Sequence, residues 1–437
     1  MASNSTMSIA NGVFQILLIT LMGRLASENY FVSFLTAMAV VAIAEHGSDF
    51  GLRMWAMSAF ATTSKPVSVL IRSLKGKMIF STVMLPILLL LPIPALTGLQ
   101  VTLCFLIAVS QPSTDPLHWY LRAHERLDQD AVVLVTWKFF CTSGMAFCLW
   151  LGQGLTALLL IWLLANVIRV VVVGALFRSL SLSKVKAIIN QKDMDKNISE
   201  SALSSIALCK LAMPTGASFL LMSLNQRVML IALSLVASTR DVSLFGAAHT
   251  LVSQAGFIAI AVALSFMPSL ARAHESGSSA NFRSLVTQKI IVVCLLVGAL
   301  SLIGMVASPL IVSIIYGDKY PGASELMLWL WPGLYLWSLS VAARYLLVLK
   351  GSRWVDLTGS CLGLVVSLSI LFTLSWRLQP SLDLAVVAGG AWLVGLLAES
   401  AFKIIMLSRS GVVSLLASCL ASGVLILLFL IALLTRF

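Results

Sequence analysis

The sequence predicts an all-α integral membrane protein of two six-helix bundles related by pseudo-two-fold symmetry, with one further apolar segment at its C-terminal end. Three observations carry that prediction. The 437 residues are 59% hydrophobic and only 11% charged, against about 25% charged in an ordinary soluble domain, so lipid must replace water over much of the surface. Apolar runs of about 20 residues, enough to cross about 30 Å of hydrocarbon as a helix, recur along the whole chain. The longest polar interruption, RSLSLSKVKAIINQKDMDKNISESA at 178–202, parts those runs into six and six.

The first six runs fall near 7–26, 29–50, 77–97, 99–121, 131–151 and 154–177. The next six fall near 204–237, 242–270, 288–314, 325–349, 354–376 and 384–407, and a thirteenth candidate occupies 411–434. The organisation expected is a bundle over 1–178, a linker over 179–203, a second bundle over 204–408 and the extra segment in 409–437. The fourth run carries Pro112 and Pro116 around Asp115, and each proline removes a backbone donor and strands carbonyls a turn earlier. The seventh run would be about 50 Å long if straight. Pro214 and Gly216 are the natural bend in it, and therefore the hinge candidates.

Basic residues fix an expected orientation. With the N-terminus in the cytoplasm, the inner connections hold 20 Lys and Arg and the outer ones hold 5, which is the positive-inside asymmetry. That asymmetry also accounts for the net charge of +12 without nucleic acid as a partner. The opening MASNSTMSIANG lacks the basic n-region of a cleavable signal, so the first run is expected to stay in the mature protein. The 7 cysteines lie mostly in apolar runs without CxxC spacing and read as small core residues. No HExxH, P-loop, nucleophile elbow or metal-ligand cluster occurs, and the outer connections are too short for an extramembrane catalytic domain. Neither an enzyme nor a bound cofactor is expected. Two six-helix halves instead suit a duplicated transporter with its site between them.

Four bases interrupt apolar runs: Lys138 in TWKFFCTS, Arg169 in LLANVIRVVVV, Lys210 in SIALCKLAMP, and Arg227 after LMSLNQ. A charge at the bilayer centre costs at least about 2.5–3.5 kcal/mol. Lys138 lies about 10–12 Å inside the cytoplasmic edge of its run, Arg169 about 13 Å and Lys210 about 9 Å. Snorkelling serves Lys210 well and the deeper two less well. Pairing with Asp115 or Glu399 is a second account, and lining a water-filled cavity is the third. In a cavity, ammonium and guanidinium groups would receive a compact anion such as a diphosphate. Asn166, Asn225 and Gln226 would supply neutral donors, and Trp137 and Trp162 stacking faces. Asp115 with its stranded carbonyls is the leading ion-coupling candidate, and His118 one turn on could relay a proton. Glu45, His46 and Asp49 read as interfacial, and Glu399 and Lys403, four apart on one face, as a structural pair.

Local patterns then become informative. GRLASENYF (23–31), EHGSDFGLR (45–53), YLRAHERLDQ (120–129) and IYGDKYPGASELMLWLWPG (315–333), with the six-plus-six layout, resemble the Wzx-type polysaccharide flippases. These form a branch of the multidrug/oligosaccharidyl-lipid/polysaccharide exporter superfamily. Gly317 and its neighbouring tyrosines are the best single match. Phe31 departs from it, standing where a glycine is common, and a thirteenth span would put the C-terminus outside. The resemblance implies movement of an undecaprenyl-diphosphate-linked oligosaccharide from the cytoplasmic to the periplasmic leaflet of a bacterial inner membrane. It implies alternating access with H+ or Na+ as counter-ion, phospholipid as surroundings, and a glycan polymerase and chain-length regulator as partners. Arg24, in the first motif, joins the substrate-binding candidates, and Asp49, in the second, joins Asp115 and His118. A multidrug or metabolite cation antiporter of the same fold is the alternative, followed by a membrane glycan polymerase or ligase.

Overall fold

The computed structural model describes residues 2–52, 56, 66–90, 93–123, 127–189, 205–275, 279–377, 383–411 and 424–425. Among the described residues there are twelve helices and no strand. They are α1 (Ala2–Leu25), α2 (Glu28–Asp49), α3 (Pro66–Leu90), α4 (Gly98–Ala123), α5 (Leu127–Trp150) and α6 (Leu155–Ile189). Then come α7 (Ser205–Val236), α8 (Thr239–Glu275), α9 (Ser279–Tyr316), α10 (Ala323–Leu349), α11 (Arg353–Arg377) and α12 (Leu384–Arg409). Each of the twelve main expected spans coincides with one of these helices. The thirteenth candidate, 411–434, lies almost wholly outside the described residues.

Short polar signals set the helix ends. Thr97 and Gln100 form a reciprocal capping box before α4: Gln100 N–H donates to Thr97 Oγ1 at 3.4 Å and Thr97 N–H to Gln100 Oε1 at 2.9 Å. Asp383 caps α12 by accepting from Ala385 N at 2.9 Å. Between α5 and α6 the chain turns on Gly152 at φ 68°. Gln153 N there reaches Cys148 O at 3.0 Å and Gly152 N reaches Leu149 O at 3.0 Å, the paired bonds of a Schellman stop. Pro66 opens α3, where its missing N–H costs nothing. Two helices run further than their apolar windows: α3 starts at Pro66, well before residue 77, and α6 continues to Ile189 through RSLSLSKVKAII. Hydropathy marks only the part inside lipid, whereas helical hydrogen bonding continues into water.

The apolar pattern is inverted relative to a soluble helix. On α9 the exposed residues Leu296, Ile303, Val306, Leu310 and Ile314 recur at helical spacing, while Cys294, Val297, Ser301, Met305 and Ser308 are buried. A greasy outer stripe over a small-residue inner face is what lipid selects. Eight of the described helices are long and apolar enough to cross a membrane, and the protein is a multi-pass membrane protein.

By contacts the chain forms two compact units. One comprises 1–39, 92–96 and 221–437, the other 40–91 and 97–220. In the first, α10 is buried along nearly its whole length and packs against α8, α9, α11 and α12. In the second, α4 packs against α3, α5 and α6, with Cys104, Ile107, Cys141, Met145, Leu158 and Leu159 buried. Gly216 of α7 belongs to this unit, in a helix unbroken from Ser205 to Val236. A Cβ there would fall 2.1 Å from the backbone oxygen of Phe50, so α7 passes the end of α2 at a distance only glycine permits.

Candidate functional site

In the second unit α4, α5 and α6 bring five predicted or neighbouring residues together. Arg169 is only 7% exposed, and its guanidinium carbon lies 4.5 Å from the centre of the Trp137 ring. The Lys138 ammonium lies 4.8 Å from the centre of the same ring. Arg169 Nε reaches His118 Nε2 at 3.3 Å, and His118 Nδ1 contacts Asp130 Oδ1. Glu45 of α2 is within electrostatic range of Lys138.

This chain of contacts fixes the histidine tautomer. A guanidinium can only donate, so His118 Nε2 is the acceptor and Nδ1 carries the proton, which is donated to the Asp130 carboxylate. Asp130 sets the ring's orientation as carboxylates do for histidines elsewhere. One turn before Arg169, on the same face, Asn166 is 0% exposed and neither its side-chain oxygen nor its nitrogen has a hydrogen-bond partner among the described residues. The Trp137 indole N–H is buried and likewise without a hydrogen-bond partner among the described residues. Buried amides are normally satisfied, and a cluster offering Asn166, the indole N–H and two cations is suited to a ligand rich in anionic and hydroxyl oxygens.

The other predicted residues are distributed differently. The side chains of Asp115 and Lys210 lie outside the described residues. Asp49 stands 3.8 Å from Lys77, an ion pair at the end of α2. Asn225, Gln226, Arg227 and Arg24 belong to the first unit. Asn225 donates to Glu399 Oε2 at 2.8 Å and to the Ser360 carbonyl at 3.2 Å. Gln226 and Arg227 are half-buried on α7. Arg227 lies within electrostatic range of His249, whose ring stacks on Phe245 at 5.2 Å. Arg24 is exposed and donates from Nε to Ile315 O at 3.0 Å and from Nη2 to Ile314 O, closing the C-terminal end of α9.

Arg24 belongs to a larger contact. The Phe31 ring lies 5.4 Å from Tyr320 and 6.0 Å from Tyr316. The Tyr316 hydroxyl donates to Ala247 O at 3.2 Å, and Lys319 Nζ donates to Ala26 O. The stretches GRLASENYF and IYGDKYPG therefore pack on each other. Phe31, the departure from the usual pattern, is the centre of their shared ring cluster.

Sequence reasoning missed Asp130, Arg344 and Asp356. Asp130 stands in the first turn of α5, where an acid is ordinary. The signal was its position seven residues, or two turns, before Trp137. Arg344, counted with the inner basic residues, is buried: its Nε lies 3.0 Å from Asp356 Oδ2.

No protein-family model matches the chain, and no curated protein matches it. Solved structures do. Lipid II flippase MurJ in an inward closed conformation is 12% identical, with 99% of this chain and 93% of that chain covered at a TM-score of 0.65. The eukaryotic MATE transporter AtDTX14 is 10% identical, with 98% and 97% covered at 0.64. A multidrug resistance MATE family transporter of the MOP superfamily, inward-facing, is 13% identical, with 91% and 94% covered at 0.61. At these identities the likeness shows the fold, and it spans the chain: the protein has the fold shared by MATE transporters and MurJ.

Proposed function

We propose that the protein flips a polyprenyl-diphosphate-linked oligosaccharide, carried on undecaprenol, from the cytoplasmic to the periplasmic leaflet of a bacterial inner membrane by alternating access. The observation that carries the reading is the pair of cations, Lys138 and Arg169, on the Trp137 ring beside the unpartnered Asn166 amide. A diphosphate entering low dielectric loses its hydration, and charge-assisted hydrogen bonds from a guanidinium replace it. Asn166 then serves oxygens next to the phosphates. The likeness to a lipid II flippase supports a lipid-linked cargo. The likeness to multidrug transporters leaves a cationic cargo as the rival, and two cations at the site oppose it. His118, poised between Asp130 and Arg169, is the residue through which a proton would act on the grip: a second proton on the ring removes the acceptor that Arg169 uses.

Reconstituted vesicles test the cargo. Fluorescent lipids bearing a glycosyl diphosphate, a glycosyl monophosphate or a quaternary ammonium are compared for protein-dependent loss from one leaflet. Selective movement of the diphosphate lipid is expected. Movement of the ammonium lipid alone would establish the antiporter instead.

A further inference from the structure

The first unit holds a second charged cluster. Lys403 of α12 is 0% exposed. Its Nζ lies 2.6 Å from Asp356 Oδ1, 2.6 Å from Glu399 Oε1, 3.0 Å from Ser360 Oγ and 3.1 Å from Ser340 Oγ. Both serine hydroxyls give their hydrogens to Glu399 Oε1, at 2.7 and 2.9 Å, so their lone pairs are free to face the ammonium. Four oxygens thus surround a group with only three N–H donors. That is the environment of a spherical cation more than of a hydrogen-bonded amine.

The surroundings are organised around this point. Arg344 Nε lies 3.2 and 3.0 Å from the two Asp356 oxygens. Arg344 Nη2 donates to Ser360 Oγ at 3.0 Å, and Asn225 Nδ2 donates to Glu399 Oε2 at 2.8 Å. The Asn225 side-chain oxygen Oδ1, also buried, has no hydrogen-bond partner among the described residues. Gly359 and Gly363 make the channel for the two long side chains: Cβ atoms there would lie 3.0 Å from Lys403 Cε and 2.9 Å from Glu399 Cβ.

We propose that Asp356, Glu399, Ser340 and Ser360 form a monovalent-cation site that the chain fills with its own Lys403 ammonium. Charge and size argue for the class of ion. Without Lys403 the cluster keeps Arg344 against two carboxylates, one negative charge in excess, which one monovalent cation neutralises. The two serine oxygens, at 3.0 and 3.1 Å, stand further from the centre than the about 2.3–2.6 Å of calcium, the two carboxylate oxygens, at 2.6 Å, stand at its upper edge, and all four stand beyond the about 2.0–2.1 Å of magnesium. A cation of potassium size fits. The tethered ammonium leaves this unit independent of dissolved alkali ions, whatever the cargo carried by the other cluster.

The test uses full-length protein in detergent, melted in potassium chloride and in choline chloride at equal ionic strength. Wild type should melt at the same temperature in both. Lys403→Ala should melt several degrees lower in choline and recover in potassium. Lys403→Met, whose side chain refills the space, should ignore potassium. Equal melting of Lys403→Ala in the two salts, or an equal potassium shift in wild type, would overturn the proposal. Should Lys403→Ala yield no folded protein, Lys403→Ser is measured in the same way. Failure of both to fold in potassium would count against the site, since the ion is expected to restore them.

Discussion

At the scale of single residues, the cluster makes commitments that separate binding from stability. Asn166 is buried without hydrogen-bond partners among the described residues, and an unsatisfied buried polar group costs about 1–3 kcal/mol. Asn166→Leu is therefore expected to raise the melting temperature while lowering transport. A variant that is less stable and fully active would contradict the role given to the amide. His118 positions Arg169 through a donor on one side and an acceptor on the other. Glutamine offers both, so His118→Gln should retain much of the transport that His118→Leu loses, and transport assays on both at matched expression check this. Lys138 and Arg169 were legible in the sequence because a charge inside an apolar run is anomalous on its face. Asn225 was legible only as a polar residue. Its engagement with Glu399, 174 residues away, is a product of tertiary packing that no local pattern contains.

At the scale of elements, glycines divide by what surrounds them. Gly152, Gly317 and Gly351 have positive φ and stand at helix ends, where the sequence announces them as turns. Gly216 was read with Pro214 as half of a hinge, and it lies against the Phe50 backbone. Gly216→Ala must push one helix from the other and should cost about 1–3 kcal/mol. Gly12→Ala, with nothing within 4 Å of the new methyl, should melt like wild type. The turn between α9 and α10 carries a pH signature. Tyr320, between α9 and α10, has its phenol pushed up to about 12, first by burial and then by the Glu28 charge. A phenol whose folded value exceeds its unfolded value adds stability below about pH 10, which is lost as pH rises through its folded value. Its oxygen has no hydrogen-bond partner among the described residues, so Tyr320→Phe should match wild type at neutral pH and lose less stability from pH 10 to 12. Denaturant melts of both across that range read this out.

At the scale of the whole molecule, lipid as solvent left the plainest record in the chain. Apolar runs of spanning length gave the number and order of the twelve helices, because hydrocarbon tolerates no unsatisfied backbone. The ends were less legible, as α3 and α6 show, since nothing in hydropathy stops a helix at the interface. Charge counting suffered from the same blindness to packing. Lys77, Arg344 and Lys403, taken with the inner loops, are buried, and without them the inner count falls from 20 to 17 against 5 outside. The asymmetry survives, and a reporter fused within 190–204 should still report the cytoplasm. The contact between GRLASENYF and IYGDKYPG, two motifs almost 300 residues apart, was invisible as a contact although each motif was visible alone.

Cargo recognition by the Lys138–Arg169 cluster is tested most directly by the rate at which reconstituted protein moves a fluorescent glycosyl-diphosphate lipid. Wild type is compared with Arg169→Gln and Lys138→Gln at equal protein incorporation and equal melting temperature. Loss of most of the rate in each variant, with a smaller loss for Arg169→Lys, is the expected result. Wild-type rates in both glutamine variants would contradict it.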